Sequence, residues 1–221
     1  MATGKKLVWD ETGAKFYETG VKNCALYIQS DDGTYPTGVA WSGITAVNET
    51  PSGAEETALY ADDAKYVSLM STEEFGGTIE AYTYPDEFME CDGTAEIGKG
   101  AYIGQQTRKK FGLAYKTTLG NDVKLNEYGY KLHLVYGALA SVAEKAYATI
   151  NDSPEAITFS WEFTTTPVAV TGKKPTAILT IDSTKADPTK LATLEGILFG
   201  SETADARLPL PDEVATTLAE A

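Results

Sequence analysis

Alternation of apolar and polar side chains is the strongest pattern along this chain. Between Ala156 and Thr165 every second residue is large and apolar, and the residues between them are polar. Successive side chains of a β-strand point to opposite faces, so this run predicts a strand with one buried face. Weaker forms of the same pattern predict further strands at 22–30, 39–49, 57–70, 78–83, 111–116, 128–136 and 177–181.

Two of these strands predict a long hairpin. Residues 50–56 join the strands 39–49 and 57–70 with Pro, Ser and Gly, which are typical of turns. We therefore expect a hairpin over 39–70 with a flexible, acidic tip at 51–56. Both faces of strand 39–49 are semi-apolar, which is typical of a strand that is covered on both sides or used in assembly.

Residues 73–93 predict how this hairpin joins the rest of the chain. Gly76 and Gly77 are expected to break the extended run, and Pro85 suits the first position of one or two helical turns. Residues 93–110 follow as a Gly-rich and weakly patterned connection. Loops of this length inside compact domains are usually functional or disordered when free.

One segment has the features of a surface helix. Asp187 suits the N-cap and Pro188 the first helical position, while Gly200 is expected to end the helix. The apolar stripe that should pack on a sheet consists of Leu191, Leu194, Ile197 and Leu198. The C-terminal tail 208–221 contains a second, short helical segment around Asp212.

These elements predict a single domain, 1–221, of the mainly β class. We expect an antiparallel β-sandwich or barrel with one flanking α-helix and long assembly loops. The chain is 43% hydrophobic, as folded proteins usually are, and no apolar run is long enough to cross a bilayer. The first residues lack the apolar core of a signal peptide, which predicts a cytoplasmic start.

The net charge of the chain makes some classes of function less favourable than others. The chain has 32 acidic and 18 basic side chains, so its formal net charge is −14. A surface of that sign repels phosphate, which disfavours tight binding of nucleic acid. The same repulsion is useful where DNA must pass without sticking.

Motifs that carry chemistry are nearly absent. The sole histidine, His133, lies within an alternating strand, Ser42 lacks the first glycine of a nucleophile elbow, and the glycines of 98–104 do not match a dinucleotide-binding loop. The many carboxylate pairs lack the spacing of a calcium loop, and Cys24 and Cys91 are expected to be reduced, structural thiols. We therefore expect no enzymatic activity, no metal and no cofactor.

Several long strings in the chain resemble one family. TIEAYTYPDEF at 78–88 and ITFSWEFTTTPV at 157–168 are similar to segments of the major tail protein of long, non-contractile-tailed bacteriophages. FGLAYKT and YKLHLVYGALAS, which lie between them, follow in the order that this family has. The resemblance extends over residues 57–210.

This resemblance implies the phage tail tube fold and a structural role in the virion tail, with assembly in the cytoplasm of the bacterial host. Six copies would join their sheets into a ring, and stacked rings would form a tube whose acidic lumen conducts DNA during ejection. The implied partners are further copies of the chain, a tape-measure protein in the lumen, and distal tail and tail terminator proteins at the ends. Neither membrane insertion nor an added immunoglobulin-like domain is expected.

Two alternatives stay open. A tube protein of a contractile or secretion-type injection machine would share the fold, and a surrounding sheath would distinguish it. A soluble enzyme or a carbohydrate-binding β-sandwich would need a pocket with convergent polar groups.

In the implied tube, the hairpin 39–70 would reach the next ring and the loop 93–110 would make a second contact. The compact basic cluster of the chain would pair with a neighbour's carboxylates rather than with phosphate. The candidate contact residues are Trp41, Pro51, Glu55, Glu56, Tyr60, Arg108, Lys109 and Lys110.

Overall fold

The computed structural model describes residues 6–150, 152 and 155–219, and within them the chain is mainly β, as predicted. Its strands are β1 (Phe16–Ile28), β2 (Gly38–Trp41), β3 (Ile44–Glu49), β4 (Glu56–Ala61), β5 (Ala64–Met70), β6 (Gly76–Ala81), β7 (Ala95–Gly98), β8 (Ala101–Ile103), β9 (Phe111–Asn121), β10 (Leu125–Ala140), β11 (Phe159–Thr165) and β12 (Ile178–Asp182). The α-helices are α1 (Pro188–Phe199) and α2 (Pro211–Leu218), and a 3₁₀ helix spans Asp86–Glu90.

Eight of the strands form one antiparallel sheet. Its order is β2-β1-β9-β10-β11-β6-β3, and β12 pairs with β10. Only Ser42 and Gly43 separate β2 from β3, although these strands lie at opposite ends of the order. The sheet must therefore curl until its two ends meet, as in a barrel. Gly43 permits the abrupt connection with a φ of 84°.

An aromatic core fills the curled sheet. Trp161 is fully buried, and its ring lies 5.1 Å from that of Phe88 and 5.8 Å from that of Trp41 in edge-on geometry. Phe163, two residues further along β11, is also buried, whereas Ser160 and Glu162 are exposed. The alternation in β11 thus has the predicted effect of burying one face of the strand.

The other face of the sheet is covered by the helices. Leu191, Leu194 and Leu198 of α1 are buried in a cluster that includes Leu134 and Tyr136 of β10. The Asp187 side chain accepts the backbone N–H groups of Thr189 and Lys190, each at 3.0 Å, which confirms the predicted N-cap. Among the residues described, neither helix is long and apolar enough to span a bilayer.

The C-terminal tail contributes a second helix to this layer, where the predicted fold had one flanking helix. Val214 of α2 is buried among the side chains of α1. The Arg207 guanidinium donates to both carboxylate oxygens of Glu213, at 2.8 and 2.5 Å. This contact lowers the pKa of Glu213 and ties the helix to the segment before it.

The predicted hairpin over 39–70 is wrong in its pairing. Strand β3 pairs with β6, and β4 pairs with β5, so one long antiparallel ribbon runs from β3 to β6 with its tip at Asp62-Asp63. Both tip residues have positive φ, 50° and 59°, as the central residues of a tight type I′ turn do. Residues 51–56 are therefore not the tip. They lie along the side of the ribbon, where Ser52 and Glu74 form an isolated bridge.

Two further details differ from the prediction. Gly76 and Gly77 do not break the chain but begin β6, and a Cβ on Gly77 would lie 2.4 Å from the carbonyl oxygen of Asn48. Glycine is needed there because neighbouring backbone approaches closely. The weakly patterned loop 93–110 contains the β7–β8 hairpin, while the helical turn after Pro85 is confirmed.

Candidate assembly surface

The β4–β5 hairpin, residues 56–70, is the most exposed regular structure that the model describes, and we call it the arm. Every residue in its two strands is exposed except Ala58, which is half-buried. Six residues of β4 extend over about 20 Å at the usual rise of a strand. The arm therefore projects well away from the curled sheet.

The arm has one apolar face. Leu59 lies opposite Val67 and Thr57 lies opposite Leu69, so these side chains share a face of the ribbon. The exposed fractions of Leu59, Val67 and Leu69 are 44%, 40% and 54%. A row of half-exposed aliphatic side chains on a two-stranded ribbon is an incomplete layer, because nothing in the described chain covers it.

The opposite face of the arm is mixed, because an ion pair lies there beside Met70, which is opposite Glu56 and exposed. The Lys65 ammonium lies 2.5 Å from Glu56 Oε1, and the Ser68 hydroxyl donates to the same oxygen. Both hydrogen bonds lower the pKa of Glu56, and the one from Lys65 has the larger effect. Since both side chains of this pair are about half exposed, the contact orders the face more than it stabilises the fold.

The base of the arm continues the ribbon of β3 and β6 without a gap. Ser52 and Glu74 exchange two backbone hydrogen bonds of 2.8 Å, and the Thr50 N–H donates to the Gly76 carbonyl at 2.8 Å. Gly53 has a φ of 79°, and a Cβ there would lie 2.2 Å from the Thr72 carbonyl oxygen. The arm is thus joined to the sheet through a backbone ladder.

The β7–β8 hairpin forms a second exposed projection. Ile97 and Tyr102 expose 67% and 49% of their surface. The hairpin borders an open groove of about 510 Å³ that also has Met89, Glu90 and Glu96 in its lining. The lining of this groove mixes apolar, neutral polar and acidic side chains with one lysine.

The basic cluster is used within the chain. Lys109 Nζ lies 2.5 Å from a Glu90 carboxylate oxygen, and this hydrogen bond raises the pKa of Lys109. Arg108 donates to the Asp92 carbonyl at 3.2 Å, and Lys110 donates to the Thr166 hydroxyl at 2.9 Å. These contacts tie the end of the 93–110 segment to the 3₁₀ helix and its C-terminal side, and to the residue that follows β11.

The candidate contact residues separate into two groups. Pro51, Glu55, Glu56 and Tyr60 are exposed on the arm or at its base, with Tyr60 72% exposed. Trp41 is only 3% exposed, and its indole N–H donates to the Thr83 carbonyl at 2.8 Å. The expectation for Trp41 as a surface contact is wrong, because β2 places its side chain in the aromatic core.

One apolar surface was missed by sequence reasoning. Around the β9–β10 turn, Phe16, Val123 and Leu125 expose 56%, 59% and 64% of their surface. The ring of Phe16 lies 5.1 Å from that of Tyr128. The only local signal for this patch was a turn at 120–122; its contact between β1 and β10 depends on the sheet order.

Over the described ranges, no set of three or more His, Cys, Asp or Glu side chains is placed to hold a metal ion. The candidate site is a surface that consists of the arm with its apolar face, a second hairpin and a patch at the β9–β10 turn. No protein-family model matches the chain, and a search of curated proteins finds no match either.

Proposed function

We propose that this chain is a structural subunit of a bacteriophage tail tube, in which six copies close into a ring and rings stack into a hollow tube. The observation that carries the proposal is the arm, which projects from a compact sheet and leaves one apolar face uncovered. The strings of sequence that resemble the tail tube family include strand β6 at the base of the arm and strand β11 beside it.

The arm gains free energy if a neighbouring copy covers it. Full burial of a Val or Leu side chain contributes about 1.5–3 kcal/mol, so burying the exposed half of three such residues contributes on the order of 2–4 kcal/mol per copy. A two-stranded hairpin is at best marginally stable when it stands alone. Covering its apolar face would therefore both order the arm and join the subunits.

The charge of the chain is consistent with a conduit for DNA. A net charge of −14 repels phosphate, so a lumen lined by this chain would let DNA slide without binding it. The same charge makes subunits repel one another. We therefore expect assembly to be favoured by added salt, because screening weakens repulsion between exposed charges while apolar contacts persist.

Electron microscopy and light scattering of the purified protein test the proposal. We expect rings or hollow tubes from the wild-type chain as salt is raised, and we expect the double variant Leu59→Ser with Val67→Ser to remain monomeric. Both residues lie on the apolar face, so their loss should remove the contact without unfolding the chain.

The matched control is Ser68→Ala, which changes the opposite face of the same strand and should assemble as the wild type does. Full-length tubes from the double variant would rule out the arm as the contact. A wild-type chain that stays monomeric at every salt concentration, and also when preformed phage tail tips are added, would refute the tube.

A further inference from the structure

The sole histidine of the chain occupies an unusual position within the sheet. His133 is 8% exposed, and its ring stacks on that of Tyr115 with a centroid distance of 4.7 Å and an angle of 3°. Tyr115 lies directly opposite it on β9. The imidazole is thus held in one orientation and can reach only the groups at its two edges.

Carboxylates from two other strands lie at those two edges. Glu49 Oε1, at the end of β3, is 3.4 Å from Nδ1, and Glu18 Oε1, on β1, is 3.7 Å from Nε2. The described residues show no backbone hydrogen bond between β1 and β3, although the curled sheet brings these strands together. His133 therefore bridges two strands that the ladder leaves unjoined.

The two carboxylates differ in what else holds them. Glu18 also has the Lys131 ammonium 2.6 Å from Oε2 and the Thr117 hydroxyl 2.5 Å from Oε1. Glu49 accepts the Tyr115 hydroxyl at 2.5 Å, and within the described residues no cation other than His133 lies in contact with it. Glu49 is thus the carboxylate that depends on the charge of the imidazole.

The remaining neighbours of the ring are hydroxyls. Thr117 Oγ1 lies 3.0 Å from Nε2, and Thr180 of β12 lies 3.5 Å from Nδ1. A protonated imidazole donates from both nitrogens, whereas a neutral one has a single N–H and presents a lone pair at its other edge. Loss of the proton therefore leaves one edge without a hydrogen to donate and removes the positive charge from both.

We propose that His133 is a proton-controlled latch that holds the end of β3, and with it the base of the arm, against β1, β9 and β10. Glu49 is the last residue of β3, and the ribbon that becomes the arm continues from the next residue. The hydrogen bond with His133 is the main reason why the pKa of Glu49 lies below its usual value. Glu49 therefore stays ionised throughout the range in which a histidine ordinarily changes charge.

The latch is a property of the single chain and does not depend on the proposed tube. When His133 loses its proton, Glu49 no longer faces a positive charge, and the end of β3 should open more often. As pH falls, the latch stays closed until Glu49 itself is protonated. Arm mobility is thus expected to increase as the imidazole is deprotonated.

Hydrogen exchange on the isolated protein tests this inference. After correction for the intrinsic pH dependence, we expect the amides of Asn48 and Thr50, which face β6, to lose protection about tenfold as pH rises, which corresponds to one charge-assisted hydrogen bond. The midpoint should coincide with the NMR titration of the single imidazole. Amides of Leu113 and Ala114 in β9 should show no such change.

Variants separate the latch from general loosening. Glu49→Gln should abolish the pH response, and His133→Gln should be insensitive to pH over the same range. Glu18→Gln should retain a response at Glu49, and Glu162→Gln, an exposed carboxylate on β11, should behave as wild type. A pH response that persists in His133→Gln or Glu49→Gln, or its absence in the wild type, would overturn the proposal.

Discussion

Two leucine–valine pairs in this protein have the same local setting and opposite environments. Leu113 lies opposite Val135 in β9 and β10, and both are fully buried. Leu59 lies opposite Val67 in β4 and β5, and they are 44% and 40% exposed. In the curled sheet the pair meets a second layer of side chains, while in the arm it meets none. Pairing thus sets which residues share a face, but only the topology decides whether that face is covered.

The largest difference between the pairs should appear when the buried leucine is shortened. Leu113→Ala leaves a cavity in the core and is expected to lower the free energy of unfolding by about 2–5 kcal/mol. Urea denaturation followed by tryptophan fluorescence measures this, since Trp161 and Trp41 lie in the same cluster. A loss below 1 kcal/mol would mean that the core collapses around the cavity.

A smaller contrast is expected between two glycines. A Cβ would approach a backbone carbonyl within 2.4 Å at Gly77 and within 2.2 Å at Gly53. In the sheet the clash cannot be relieved locally, so Gly77→Ala should cost about 1–3 kcal/mol of global stability. Gly53→Ala should instead raise hydrogen exchange in the arm and leave the main unfolding transition in place. Equal losses in both variants would show that arm and sheet unfold as one unit.

The smallest effect is expected for the exposed leucine. Leu59→Ala should change the free energy of unfolding of the monomer by no more than about 0.5 kcal/mol, as surface substitutions usually do. The measurement is the same urea titration, performed under low salt where the chain is monomeric. A loss of several kcal/mol would mean that the arm already packs on the rest of the chain in solution.

The sequence predicts those elements whose signals are local. Asp187 and Pro188 mark the start of α1 because capping depends on the next few residues only. The alternation in β11 predicts its buried face for the same reason.

Strand pairing could not be predicted in this way. The partner of β3 is β6 rather than the nearer 57–70 segment, and this choice follows from where β6 meets β11. The turn at Asp62-Asp63 could not be predicted either, because residues with positive φ are usually glycine or asparagine.

Local sequence signals also did not predict which residues lie on the candidate assembly surface. Trp41 and Tyr60 are both aromatic residues in extended, β-prone runs, yet one is buried in the core and the other is 72% exposed. The groups around His133 come from β1, β3, β9, β10 and β12, which no local pattern brings together. The sequence predicted an assembly hairpin within 39–70, but it treated 57–70 as a single strand, whereas these residues form the two strands of the arm.

The order of strands in the curled sheet has a consequence for synthesis of the chain. One edge of β6 pairs with β11, which ends about 80 residues later in the chain. That edge therefore stays unpaired until β11 has been synthesised. At translation rates of roughly 5–20 residues per second, that edge stays open for on the order of 4–16 seconds on each ribosome. Sheets closed by such distant partners also fold slowly. Nascent copies on neighbouring ribosomes therefore present unpaired edges to one another before any subunit is complete, and the acidic charge of the chain helps to keep them apart.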